Sequence, residues 1–159
     1  MSTYIIRTEQ KLPITLDAAW DFISSPFNLE VITPQDMKFD VTNGVLKTDK
    51  MYAGQLICYK LTPLLNIKME WVTEITHVKD HSYFIDEQRF GPYAFWHHQH
   101  FLEPIEGGVI MRDIVHYKLP LGFLGNIAHW LFVKNKLKGI FDFRFQKMEE
   151  LFGGKNKFK

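Results

Sequence analysis

The chain has a single cysteine, Cys58. That excludes an intramolecular disulfide and any zinc site built from several thiolates. Cys58 stands in an apolar, strand-like run and reads as a small buried hydrophobe. Charge of one sign is also lacking: nineteen Lys and Arg against eighteen Asp and Glu leave +1. Such a balance nominates no nucleic-acid partner, and no aromatic-basic motif supplies one. No hydrophobic run approaches the roughly 20 residues of a spanning helix. The longest uncharged stretch, LPLGFLGNIAHWLFV, is broken by Pro120, two glycines and His129. The start, MSTYIIRTEQ, carries neither the basic residues nor the apolar core of a signal peptide, so a cytoplasmic protein is expected. Repeats, linkers and low-complexity segments are missing, and 159 residues suit one domain, 1–159, with its own core.

Aromatic residues, by contrast, are abundant at 15%, with fourteen Phe and four Trp. Rings in that number build a core or line an apolar cavity. The order of elements is informative. TYIIRTEQKLPI reads as a strand ending near Pro13. TLDAAWDFISSP reads as a short helix capped by Thr15 or Asp17 and ended by Pro26, and FNLEVITP as a second one closed at Pro34. Strands are then expected over Lys38–Val41, Tyr52–Leu61, Lys68–His77, Tyr83–Phe90, Phe95–Glu103 and Val109–Lys118. Turn signals stand at Asn43–Gly44, Asp80–His81, Gly91–Pro92 and Gly107–Gly108. Strands in this sequence with no helices between them argue for an antiparallel meander. From Asn126 to Phe152 apolar residues recur at helical spacing, with Gly139 as a point of bending or close packing. The tail GGKNKFK caps that helix. The fold class is therefore α+β: a curved antiparallel sheet of about seven strands wrapped around one long C-terminal helix, with two short helices after the first strand. One helix cannot fill the concave face, and apolar walls would turn the remaining space into a ligand cavity.

Three blocks carry a family resemblance: FIDEQRFGPYAFWHHQHFLEP, MRDIVHYKLPLGFLG and IFDFRFQKMEELF. With the element order they resemble the helix-grip fold of the START-like (SRPBCC) superfamily. That superfamily includes pollen-allergen-type proteins and the polyketide cyclase/dehydrase group. Within it the blocks are similar to a largely uncharacterised bacterial subgroup. The likeness spans Ile5 to Phe152. It implies a tendency to bind hydrophobic small molecules between sheet and helix, and no particular reaction, so function has to be argued from the site. The positions that match are Asp86, Gln88, Gly91–Pro92, Trp96, His98, His100, Phe101 or Leu102, Asp113, Tyr117, Pro120, Gly122, Phe141 and Arg144.

Strand alternation sorts these side chains. Trp96, His98, His100 and Leu102 share one face, while His97 points the other way. Asp86 and Gln88 lie together in the preceding strand, Asp113 and Tyr117 in the following one. Alternation alone leaves open which face is concave; the matched positions select this one. Arg144 shares the helical stripe of Leu137, Phe141, Met148 and Leu151, so a cation is placed on the buried side and requires an acceptor. A polar cluster of Asp86, Gln88, His98, His100, Asp113, Tyr117 and Arg144 is expected on an otherwise apolar wall that includes Trp71, Trp96 and Phe141. Whether it only locks the helix to the sheet or also contacts a ligand is open at this stage.

The expected function is binding, transport or sequestration of a hydrophobic small molecule or lipid. The alternative is a cyclase-, hydratase- or hydrolase-like enzyme with His98 or His100 as acid/base, Asp113 orienting it and Tyr117 donating a hydrogen bond. No nucleophile motif of the G-x-S-x-G type accompanies these residues. His98-x-His100 with Asp86 or Asp113 has metal-ligand spacing, but no metal and no cofactor are expected. Lys134, Lys136, Lys138 and Lys147 give the last helix a basic side. Any membrane contact is expected to be transient. LPLGFLG reads equally as a portal over the cavity or as a plain connection. The sequence does not speak to oligomeric state.

Overall fold

The computed structural model describes residues 3–42, 44, 50–64 and 67–153. Asn43 of the expected Asn43–Gly44 turn and the tail beyond Gly153 lie outside the described residues. Strand β1 (Tyr4–Leu12) leads into α1 (Leu16–Ile23) and α2 (Pro26–Val31), and a short 3-10 turn (Gln35–Met37) follows. Then come β2 (Asp40–Val41), β3 (Leu56–Leu64), β4 (Ile67–Lys79), β5 (Tyr83–Phe90), β6 (Phe95–Ile105) and β7 (Gly108–Lys118). All pair antiparallel in one curved sheet of order β1-β7-β6-β5-β4-β3-β2. The chain ends in α3 (Phe123–Ala128), a wide π turn (His129–Val133) and α4 (Lys134–Phe152), which run on as one helix. No helix among the described residues is long and apolar enough to cross a membrane.

Local chemistry accounts for the element boundaries. Thr15 caps α1, its Oγ1 accepting from the Ala18 N–H at 3.2 Å. Pro26 does not end α1. It opens α2 at the first helical position, where a missing N–H costs nothing. The third strand starts at Leu56 rather than Tyr52, because Tyr52–Gln55 forms a turn that needs Gly54 at φ 91°. At the other end of the sheet, Gly108 opens β7 so close to β1 that a Cβ would stand 2.2 Å from the Leu12 carbonyl oxygen. Gly108→Ala is therefore expected to cost about 1–3 kcal/mol in urea unfolding, since two strands must separate to admit one methyl group.

The C-terminal helix begins at Phe123, three residues ahead of the expected Asn126. Its irregularity is at His129–Val133, not at Gly139, where α4 is regular and an added Cβ would meet nothing within 4 Å. Gly125, His129, Val133, Leu137 and Phe141 are all buried. Every fourth residue facing inward outruns the 3.6-residue period of an α-helix, and one widened turn brings the stripe back onto the sheet.

Inward-facing residues fall into two apolar clusters. One gathers Trp20 and Ile23 of α1, Phe84, Leu102, Val109, Met111 and Met148. The other gathers Val115, Tyr117, Val133, Leu137 and Phe141. On each of three elements a polar residue marks the boundary. Asp113 separates Met111 from Val115 on β7, His98 and His100 separate Leu102 from Trp96 on β6, and Arg144 separates Met148 from Phe141 on α4. The core is thus two apolar halves with a polar belt across it.

Candidate functional site

The belt is built by register. His100 faces Asp113 across β6–β7, Asp86 faces His98 across β5–β6, and Thr8 faces Asp113 across β1–β7. His97, one residue away, leaves the belt and pairs with Glu87 at 2.9 Å on the opposite face. His98 and His100 are 7% and 5% exposed and Asp113 2%, so both histidines of the pair lie on the concave side.

Hydrogen bonds tie the group together. His100 Nε2 lies 2.7 Å from Asp86 Oδ2 and its Nδ1 2.9 Å from Asp113 Oδ1. His98 Nε2 lies 3.0 Å from the same Asp113 oxygen, and its Nδ1 is 3.7 Å from Asp86 Oδ2. Thr8 Oγ1 donates to Asp113 Oδ2 at 3.4 Å. The Arg144 guanidinium comes within 3.5 Å of Asp113 through Nη1, while its buried Nε has no hydrogen-bond partner among the described residues.

Burial and charge set the protonation states. Burial opposes ionisation of Asp113, but Arg144, then the bonds from His100 and His98, hold it well below the usual carboxylate range. Asp86 follows: burial is outweighed by the His100 bond and by electrostatic attraction to His98, His100 and Arg144, and its pKa is lowered. For His100, burial is overcome by bonds to two carboxylates, which raise its pKa. His98 goes the other way, since burial and the neighbouring His100 push it down to about 4. At neutral pH the belt holds a neutral His98 beside two carboxylates, an arginine and a histidine that favours its protonated form.

A cavity of about 180 Å³ opens between the concave sheet, α2, the 3-10 turn and the C-terminal helix. Its walls include Ile57, Leu61, Trp71, Ile75, Trp96 and Phe141, and its polar edge is Asp86, His98, His100 and Arg144. Trp71 stands edge-on to Trp96 with ring centroids 5.3 Å apart, and Tyr93 packs against both. Lys136 lines the cavity too and reaches Asp36 of the 3-10 turn at 2.8 Å, bridging helix and turn.

Of the residues singled out in the sequence, Trp71, Asp86, Trp96, His98, His100, Phe141 and Arg144 meet at this cavity. Asp113 stands behind the histidines, against Thr8. Gln88 and Tyr117 are not brought into the belt. The Gln88 amide donates to the Tyr93 carbonyl at 2.7 Å and accepts from the Tyr93 N–H at 3.2 Å, bracing the β5–β6 turn. Tyr117 Oη is 2.8 Å from His129 Nε2, and the His129 ring stacks on Tyr4 at 3.4 Å. Burial pushes the Tyr117 phenol up to about 12, which keeps it a neutral hydrogen-bonding group. Nothing in the sequence assigned Tyr93, Lys136 or His129 to the site; Lys136 reads there only as part of the helix's basic side and His129 only as a break in an uncharged run. Only His129 left a signal, lying four residues from both Gly125 and Val133 on the buried stripe.

Asp86, His98 and His100 each place a potential ligand atom within 4.8 Å of the others, the one such group among the described residues. To serve a metal, His100 would have to give up the proton that joins it to a carboxylate, beside a fixed arginine cation.

No protein-family model matches this chain, and no curated protein matches it. Solved structures do. Protein TTHA0849 from Thermus thermophilus is similar at 14% identity and TM-score 0.68, over 92% of this chain and 95% of that one. Major latex-like protein 151 from Panax ginseng is similar at 10% identity and TM-score 0.66, over 94% and 97%. Ara h 8.0201 is similar at 14% identity and TM-score 0.56, over 94% and 99%. At such identities the likeness is one of fold, and the fold is the helix grip.

Proposed function

We propose that the chain binds a hydrophobic small molecule or lipid in this cavity, as a carrier or sequestering protein, in keeping with the START-like bacterial subgroup its motifs resemble. The observation that carries the reading is an apolar cavity with a buried arginine at its edge whose Nε–H has no acceptor among the described residues. Burying such a donor unsatisfied is costly, and a ligand oxygen would satisfy it. The apolar body of the ligand would lie against Trp71, Trp96 and Phe141. Its polar end would meet Arg144, His98 and Asp86, with Asp113 orienting the histidines from behind.

The belt also limits the head group. Two carboxylates are offset by Arg144 and protonated His100, and Lys136 on the lining is already paired with Asp36, so a further anion would be buried without a free counter-charge. A neutral acceptor, such as a ketone, ester or alcohol, is favoured over a carboxylate. The same protonation states support binding over acid/base catalysis. A histidine with a pKa of about 4 is a weak base at neutral pH, and His100 is held between two carboxylates.

Native mass spectrometry of freshly purified protein, followed by denaturing extraction, tests the reading. A retained hydrophobic molecule is expected. On stripped protein, quenching of tryptophan emission should show a long-chain methyl ketone binding about tenfold more tightly than the fatty acid of equal length. An empty protein that binds neither probe would sink the binding function. Equal or tighter binding of the acid would sink only the neutral head group.

A further inference from the structure

The stretch between the last strand and α4 is unlike the rest of the surface. Leu121 and Phe123 are 77% and 76% exposed, Trp130 is 76% and Leu124 64%, and Leu131 and Phe132 are also exposed. Large side chains scattered singly over a surface need no explanation, but a contiguous apolar face marks an interaction site. This face is held in place. His129 on its inner side bonds Tyr117 and stacks on Tyr4, and Tyr4 Oη donates to Asn126 Oδ1 at 3.1 Å. Gly125 lies so close to the Pro120 carbonyl oxygen that a Cβ would stand 2.1 Å from it. Leu121 keeps a left-handed backbone, φ 64°, which disfavours a leucine, while its side chain points to solvent. The apolar side chains are presented outward by a segment that is anchored from within.

Charge identifies the occupant. No acidic residue occurs from Ile114 to Phe141, whereas Lys118, Lys134, Lys136 and Lys138 flank the apolar stretch. Lys136 and Lys138 pair with Asp36 and Asp142. Lys118 and Lys134 make no ion pair among the described residues. A second copy of the chain meeting this face about a two-fold axis would set lysines near lysines with no carboxylate in the patch to offset them. A bilayer surface bearing anionic lipid supplies both an apolar phase for Leu, Phe and Trp and negative charge for the flanking lysines.

We propose that the outer face of Leu121–Phe132 docks on a bilayer surface containing anionic lipid. Phe123 and Trp130 enter the boundary between head groups and acyl chains, and Lys118 and Lys134 lie at the head groups. Docking goes beyond the cavity reading and stands without it. The two meet in one helix, since Val133 and Leu137 line the cavity immediately after the docking face.

Flotation of the full chain with vesicles of phosphatidylcholine alone, or mixed with phosphatidylserine, tests this. The chain is expected to float with the mixed vesicles and not with phosphatidylcholine alone. Phe123→Ser with Trp130→Ser should lower the bound fraction about tenfold or more. Lys118→Glu with Lys134→Glu should remove the preference for phosphatidylserine. Ketone binding in the cavity should be unchanged in both variants, because none of the four residues lines it. No flotation of the parent chain, or flotation indifferent to these substitutions, overturns the proposal. So does a dimer in sedimentation equilibrium that Phe123→Ser with Trp130→Ser dissolves, which would assign the face to a second copy.

Discussion

Arg144→Met is expected to lower the unfolding free energy by about 3 kcal/mol, read from urea unfolding at neutral pH. Methionine matches the apolar stem of arginine, so lost packing between Phe141 and Met148 is a minor part. The larger part is Asp113, which is 2% exposed and for which Arg144 is the leading influence holding its carboxyl ionised. Without the guanidinium, only His98, His100 and the Thr8 hydroxyl face that carboxylate, and its pKa rises. Asp113→Asn alone is also destabilising, because it strands Arg144. The double variant should therefore be more stable than the sum of the two losses, and that coupling distinguishes a charge pair from general loosening of α4. A single-variant loss below about 1 kcal/mol would mean that the arginine is not part of the structural lock. Binding supplies a second readout. If Arg144 Nε faces the ligand, Arg144→Met also weakens ketone binding at a pH where the variant remains folded.

Much of this belt was legible because it rests on strand alternation, which needs only a period of two. The split of His97 from His98 and His100 follows from it; that Asp86 and Asp113 face inward did not, and rested on the positions that match the resembled family. Arg144 was legible by another route, as a cation on an apolar helical stripe. Residues whose roles depend on a turn or on a distant element were not. Gln88 shares the alternation of Asp86 but is captured by the Tyr93 backbone in the β5–β6 turn. Tyr117 shares the alternation of Asp113 but sits where the π turn delivers His129, and no periodicity rule anticipates a widened turn. Lys136 reaches the cavity edge only because the 3-10 turn sets Asp36 opposite it, a contact between residues a hundred positions apart. The early start of the last helix was hidden by Pro120 and Gly122, which look like punctuation. Gly125 then reads as a helix breaker, although it is the residue that lets the helix close onto Pro120.

The second large effect is in pH. Stability is expected to fall by on the order of 3 kcal/mol between pH 6.5 and pH 4, ahead of general acid unfolding. His98 has an ordinary pKa of 6.5 in the unfolded chain and about 4 in the fold. Between these values the unfolded chain binds a proton that the folded chain refuses, so each step toward acid favours unfolding. His129, lowered by burial and by Lys134, adds in the same sense. His100 does not cancel the slope. Its raised pKa gives stability that is complete below pH 6.5 and is lost only as pH rises through the folded value. Asp86 and Asp113, both lowered, contribute above the ordinary 3.8 and lose that contribution below it, which steepens the curve at the acid end. The profile of urea midpoint against pH should peak near neutrality, with its limbs assigned to different histidines. His98→Gln, which keeps a hydrogen-bond donor toward Asp113 but has no proton to take up, should flatten the limb between pH 6.5 and 4. His100→Gln should instead remove the decline that sets in above pH 6.5, at a cost in overall stability because two carboxylates lose their shared partner. A parent profile that is flat from pH 6.5 to 4 would show that His98 is not held neutral by the belt, and the charge balance that favours a neutral ligand would fall with it.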